Sequence, residues 1–308
     1  MSDIDAPRDD GGDTTGTAPG APGAEQQARS AGSGAGATRR IPAFSYFFPA
    51  HDEEANIEGL VGEALETLPA LADRFEIIAV DDGSGDATPE IADRLEAAHP
   101  GVIRVVHHTT NLGYGAALRS GFAASRYPVV GFTDGDRQFR VADLGRLLAV
   151  LDPAGRERAT DGEHAAGEPR GQHAAHGPDA VVGYRIERAD APIRLLYARL
   201  YRLALRTFFG LGVRDVDCAC KVFRREALEG VRLESGGAFL SAELLIKFQV
   251  RGGHLAEVGV PHYPRTAGRA TGARPSVVLR AVRDFWMLRL RLWANRRAAL
   301  RRGRPVVD

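Results

Sequence analysis

The sequence is poor in cysteine and in long apolar runs, and each shortage excludes a class of protein. Only two of its 308 residues are cysteines, Cys218 and Cys220, one residue apart. That gap is too short for an ordinary disulfide, and no second Cys or His pair stands at zinc-finger spacing. A disulfide framework and a zinc finger are thereby excluded. A reducing, cytoplasmic setting is expected, with the two thiols as small core residues. No stretch approaches the roughly 20 apolar residues that cross a bilayer. The N-terminus lacks the basic-then-apolar layout of a signal peptide. Excess charge is missing too: Lys+Arg and Asp+Glu each total 40, so nothing favours coating nucleic acid through bulk charge. Also absent are G-x-G-x-x-G after the first apolar run and G-x-x-x-x-G-K-[ST] anywhere, the marks of dinucleotide-binding and phosphate-loop enzymes.

What is present is a globular core between simple segments. Hydrophobic residues make up 44% of the chain. Residues 1–40 are mostly Gly, Ala, Pro, Thr, Ser and Asp and are expected to form a disordered tail, because they cannot bury enough surface to offset chain entropy. Residues 153–178 have the same character. They include His164, His173 and His176, but no scaffold to hold those rings on a metal, so a solvated insertion is expected. Between these segments, short apolar runs alternate with helical spacing. Strands are expected at 43–48, 75–80, 102–106, 129–133 and 180–183. Helices are expected at 56–68 (with Asn56 as cap), 87–98, 116–125, 141–151 and 193–209. The alternation predicts an α/β fold, a mostly parallel Rossmann-like sheet flanked by helices.

Two apolar runs end in acid: IIAV before Asp81-Asp82-Gly83-Ser84, and GFT before Asp134-Gly135-Asp136. In open parallel sheets, ligands bind where strands end and loops converge. In Asp-Gly-Asp, the glycine lets the backbone turn tightly enough for both carboxylates to approach one hard cation, Mg²⁺ or Mn²⁺. The run from Ser276 to Arg297 mixes Val, Leu, Phe285, Trp286, Met287 and Trp293 with many arginines. It is expected to be a basic amphipathic helix, lying either on an anionic membrane surface or with its Leu/Trp face on the domain.

Eight segments occur in an order that resembles family 2 glycosyltransferases of the GT-A fold: FPAHDEEANI, AVDDGSGDAT, NLGYGAALRSGF, FTDGDRQF, VVGYRIER, DCACKVFRREAL, FLSAELLIKFQVRGG and VPHYPRTAGRATG. Within that family the chain is most similar to the dolichol-phosphate mannosyltransferase and bactoprenol glucosyltransferase catalytic domains. The resemblance spans residues 41–272, with the basic helix in 273–308 beyond it. It implies a nucleotide-sugar site at Pro49, His51, Glu53, Val80 and Asp82, completed by Asp134 and Gly135, and a metal motif at Asp134, Asp136 and Gln138. It places a phosphate-binding arginine at Arg185, a loop arginine that closes over the diphosphate at Arg265, and an acid at Asp217. Glu243 matches an acid on a later helix. Two departures are visible. His51-Asp52 replaces the usual Tyr-Asn, and Arg140 stands soon after Gln138, where family members often carry an acid, with Arg137 before the glutamine, adding positive charge beside the diphosphate.

The implied reaction is metal-dependent, inverting transfer of one hexose from a GDP- or UDP-sugar to a polyprenyl phosphate, at the inner face of the plasma membrane. Single transfer is favoured because the QxxRW motif of processive synthases is absent. Two other readings stay open: transfer to a soluble or cell-wall glycan hydroxyl, with Asp217 or Glu243 as base, and a non-catalytic protein of the same fold. A nucleotidyltransferase is disfavoured, since FFPAHDEEAN holds no glycine and no basic residue other than His51.

Overall fold

A computed structural model describes residues 40–152, 177–186, 192–265 and 275–302. The expected tail, apart from Arg40, and the expected insertion with its three histidines, apart from residues 177 and 178, lie outside the described residues.

Seven strands form one sheet. They are β1 (Ile41–Ala50), β2 (Ala72–Asp81), β3 (Ile103–His107), β4 (Val129–Phe132), β5 (Ala180–Arg185), β6 (Lys221–Arg224) and β7 (Leu255–Val260). Their order is β3-β2-β1-β4-β6-β5-β7. All neighbours pair in parallel except β6, which runs antiparallel to both β4 and β5. The near-continuous burial of β1 follows from helices covering both sheet faces, which is why its sequence is apolar throughout rather than alternating. Strand β6 is not marked in the sequence, because its four residues, KVFR, begin and end in charge and form no apolar run.

Seven helices are described: α1 (Ile57–Leu71), α2 (Thr88–Ala98), α3 (Tyr114–Ala124), α4 (Leu144–Leu151), α5 (Pro192–Phe209), α6 (Leu240–Val250) and α7 (Pro275–Arg302). One core lies under α1, α2 and α4 and includes Phe44, Tyr46, Leu60, Leu68 and Leu148. A second lies under α3, α5, α6 and α7 and includes Phe47, Phe132, Phe223, Phe248 and Phe285. In the second core, the Phe47 ring stacks on Phe132 at 5.2 Å and meets Phe122 edge-on at 5.0 Å. Asn56 stands at the N-cap of α1 but makes no side-chain cap bond. Its amide donates instead to the Glu53 carboxylate at 2.5 Å, so the expected cap became a brace for the preceding turn.

Topology fixes where chemistry gathers. Strands β1, β2, β3, β4, β5 and β7 end at the same edge, and the antiparallel β6 begins there. The segments 51–56, 82–88, 108–113, 133–138, 186, 215–220 and 261–265 therefore all emerge along one rim, as the rule for parallel sheets requires.

Candidate active site

At the end of β4 the chain must turn within one residue of β1. A Cβ on Gly135 would sit 2.6 Å from the Pro49 carbonyl oxygen, so only glycine fits between Asp134 and Asp136. Arg137, next along, adopts φ +58, and Asp52, after β1, φ +55. Left-handed backbone in residues with side chains costs about 1 kcal/mol or more and concentrates at functional sites.

The two carboxylates have different surroundings. Asp134 accepts a hydrogen bond from the Tyr114 hydroxyl at 2.9 Å. Burial, then the charge of Asp136, pushes its pKa up to about 6. Asp136 is buried; its Oδ1 accepts the Gln138 amide N–H at 3.1 Å and its Oδ2 the Arg265 guanidinium at 2.6 Å. Arg265 also donates to Gln138 Oε1 at 3.4 Å, and the Gln138 side chain donates to the Tyr263 carbonyl at 3.3 Å. Gln138 thus ties the loop bearing Arg265 to the acid pair. Glu53 reaches the same corner: burial raises its pKa, and the Asp136 charge adds to this.

Among the described residues, no group of three or more His, Cys, Asp or Glu side chains is gathered for a metal ion. The Asp134–Asp136 pair nonetheless suits a divalent cation. Mg²⁺ and Mn²⁺ sites of this kind take one or two carboxylates and fill the shell with water and substrate phosphate. Burial and the neighbouring Asp136 charge both disfavour the Asp134 carboxylate, and a divalent cation would offset that.

The segments after β1 and β2 are laced together. Asp52 N–H donates to the Ser84 hydroxyl at 3.0 Å, Gly85 N–H to Asp52 Oδ1 at 2.8 Å, and Glu53 N–H to the Thr88 hydroxyl at 2.8 Å. Asp82 is occupied within the protein. It accepts from His108 Nδ1 at 2.6 Å, Leu112 N–H at 2.9 Å and Gly113 N–H at 2.8 Å. It thereby builds the turn that carries Tyr114 to Asp134 and Asn111 to His51, whose Nε2 lies 2.8 Å from the Asn111 amide nitrogen. Pro49 and Val80 are register partners at the ends of β1 and β2; the Val80 side chain is wholly buried, so its place is beneath the site.

The remaining expected residues divide. Arg185 is clamped to the buried Asp215, with Nε to Oδ2 at 2.6 Å and Nη2 to Oδ1 at 2.9 Å. Asp217 is exposed on the rim, and its charge helps to raise the Tyr114 pKa, which burial and Asp134 raise further. Glu243 is buried in α6 and accepts from Ser235 N–H at 2.7 Å, Glu234 N–H at 3.0 Å and Lys247 Nζ at 2.9 Å. That arrangement anchors a loop. The charge expected from Arg137 and Arg140 is spent elsewhere, since both reach back to Glu63 on α1, at 3.9 and 3.4 Å.

Sequence reasoning missed three residues. Tyr114 was inside a recognised motif but without a role. Asp215 was overlooked beside Asp217. Lys221, fully buried as the first residue of β6, donates to the Cys218 carbonyl and lies 5.6 Å from the Phe132 ring. Burial draws its pKa down, and the charges of Asp217, Asp134 and Asp215 work against that. Its ammonium-bearing side chain thus lies beneath the acidic rim.

Residues 45–232 match the family model described as Glycosyl transferase family 2. The chain belongs to that family. This family 2 chain is 33% identical over 269 residues to glycosyltransferase AglD of Haloferax volcanii, covering 84% of itself but 39% of that relative. It is 28% identical to the polyprenol monophosphomannose synthase of Mycolicibacterium smegmatis, covering 71% of itself and 77% of the synthase. Among solved structures, glucosyl-3-phosphoglycerate synthase from Mycobacterium tuberculosis, in complex with Mn²⁺, UDP and glucosyl-3-phosphoglycerate, superimposes with a TM-score of 0.55 at 22% identity. That superposition covers 89% of this chain and 86% of the other, and it bears out the GT-A sheet.

Proposed function

We propose that this chain is a glycosyltransferase that moves one hexose from a nucleotide diphosphate sugar to a polyprenyl phosphate, with inversion. The observation that carries this reading is the Asp134–Asp136 pair held beside Arg265, at the rim where the 49–53 and 82–85 segments converge. The polyprenol-phosphate chemistry in the name of the mycobacterial relative supports the acceptor class.

Asp134 and Asp136 would hold Mg²⁺ or Mn²⁺, which when bound neutralises charge on the diphosphate. Pro49, His51 and Glu53 line the donor side, with Asp82 acting through the turn it builds. Arg265 contacts Asp136 from a loop and carries a second positive charge to the leaving diphosphate. Gln138 sets the position of that loop. Arg185, its plane fixed by Asp215, presents a rigid cation to the acceptor phosphate. A phosphate acceptor is already an anionic nucleophile, so Asp217 orients it rather than removing a proton. Such an acceptor keeps its headgroup at a membrane surface, so this reading includes peripheral contact with a membrane.

The test is a transfer screen with GDP- and UDP-hexoses and Mn²⁺ or Mg²⁺, with and without polyprenyl phosphate. Turnover that requires both the metal and the lipid is expected; folded protein that turns over no donor sinks the reading. The exposure of Asp217 on the rim favours one alternative, transfer to a glycan hydroxyl. Under that alternative Asp217→Asn loses activity by about 10²-fold or more, and under the phosphate reading by less than about tenfold.

A further inference from the structure

Helix α7 carries two apolar stripes where a helix packed on a domain needs one. The inner stripe, Ala281, Phe285, Leu288 and Leu292, packs into the second core. The outer stripe is Leu279, Val282, Trp286, Leu290 and Trp293, spaced i, i+3, i+7, i+11 and i+14, which is one continuous helical face. These five residues are 71, 51, 47, 62 and 45% exposed. Helix α5 adds a flank of the same kind. Leu205 faces the core while Tyr197, Leu200 and Leu203 are exposed. The two helices touch through Phe208, whose ring meets Phe285 at 5.6 Å and Trp286 at 5.2 Å.

The charge around these stripes has one sign. Helix α7 contains eight arginines and one acid, Asp284, which is buried and paired with Arg283 at 3.2 Å. Helix α5 contains four arginines and no acid. The Arg297 guanidinium lies 3.5 Å from the centre of the Trp293 ring. A second copy docked on this face would set arginine against arginine, a costly match. A water-facing role leaves the apolar rows unexplained. Among the described residues no helix is long and apolar enough to cross a membrane.

We infer that the outer stripe of α7, extended by α5, is a docking surface for an anionic lipid bilayer. Tryptophan and leucine enter the headgroup boundary and arginines engage lipid phosphates. The inference stands on these helices alone and holds whatever acceptor the site uses.

The chain provides its own reporter, since its two tryptophans are Trp286 and Trp293, both on this stripe. With the full chain and vesicles of phosphatidylcholine containing phosphatidylglycerol, tryptophan emission shifts to the blue and the protein floats with the vesicles. High salt reverses both effects. Pure phosphatidylcholine vesicles bind at least about tenfold more weakly. Leu279→Ser with Leu290→Ser lowers partitioning by about tenfold or more, with far-ultraviolet dichroism unchanged because both side chains are exposed. Arg289→Gln with Arg297→Gln lowers it several-fold on anionic vesicles alone. Asp136→Asn binds vesicles like the natural chain, which separates this surface from the catalytic reading. Three results overturn the inference: unchanged emission with both vesicle types, equal binding to neutral and anionic lipid, or blue emission without lipid that follows concentration-dependent dimerisation.

Discussion

Asp134 and Asp136 were visible in the sequence because an apolar strand that stops at Asp-Gly-Asp has little reason to do so except to place carboxylates at a rim. Their difference in environment was not visible, since it depends on Tyr114 and Arg265, 20 and 129 residues away from their partners. The pKa of Asp134, about 6 in the fold against an ordinary 3.8, has a stability consequence. A carboxyl whose pKa is raised by folding stabilises below its unfolded pKa and loses that contribution as pH climbs through the folded one. The gap corresponds to about 3 kcal/mol, and partial solvent contact reduces the expected effect to about 1–2 kcal/mol. In chelator, Asp134→Asn should therefore unfold at higher urea than the natural chain near pH 7. The advantage should vanish near pH 4. Urea midpoints at the two pH values check this, and equal midpoints at pH 7 would refute it. Asp136→Asn should cut metal-dependent transfer by about 10³-fold while leaving the dichroism spectrum intact. Retained turnover with Mn²⁺ removes Asp136 from the metal site. Lys221 lay beyond sequence reasoning for another reason. Its meaning comes from β6 running against its neighbours, which sets residue 221 beside Phe132.

Most elements were legible by one of two marks: enough length for a period to show, or a continuous apolar run, as in the four-residue β4. The strands β1 and β2 and the helices α1 and α5 are ten residues or more. The equally short β6, KVFR, carries neither mark, and no local pattern announces an antiparallel strand inside a parallel sheet. Helix α6 shows the same limit at a functional question. Its glutamate, Glu243, matched a family acid, and only the fold shows the carboxylate filled by Lys247, Ser235 and Glu234. Burial alone would raise its pKa; the ammonium and the two amides outweigh it and hold the value below the ordinary range. Its stabilising contribution is therefore present above the unfolded carboxyl pKa and is lost as pH falls through the lower folded one. Glu243→Gln keeps the shape but gives up the ion pair. It should cost about 1–3 kcal/mol and leave kcat within about threefold, read from urea unfolding and saturation kinetics. A loss of kcat near 10²-fold without loss of stability would make Glu243 a base after all.

For the whole molecule, the decisive feature is that α7 belongs to the core and to the surface at once. The sequence posed membrane contact and packing on the domain as alternatives; in the fold α7 packs one apolar stripe into the second core and leaves another exposed, because its apolar residues exceed what one face can bury. Phe285 lies among Phe208, Phe209 and Phe239, with ring centres 5.6, 4.9 and 5.9 Å away. Its neighbour Trp286 is 47% exposed. Removing residues 276–308 would therefore strip the second core as well as the surface, and could not report on membrane contact alone. Adjacent substitutions separate the two roles. Phe285→Ala leaves a cavity among packed rings and should cost about 3 kcal/mol or more, lowering the melting temperature by several degrees. Trp286→Ser should move the melting temperature little, because most of what it loses is solvent-facing contact, while weakening partitioning into anionic vesicles. Calorimetry and vesicle flotation on the two variants test this as a crossed pair. Equal destabilisation by both would mean that the outer stripe is buried against another part of the chain.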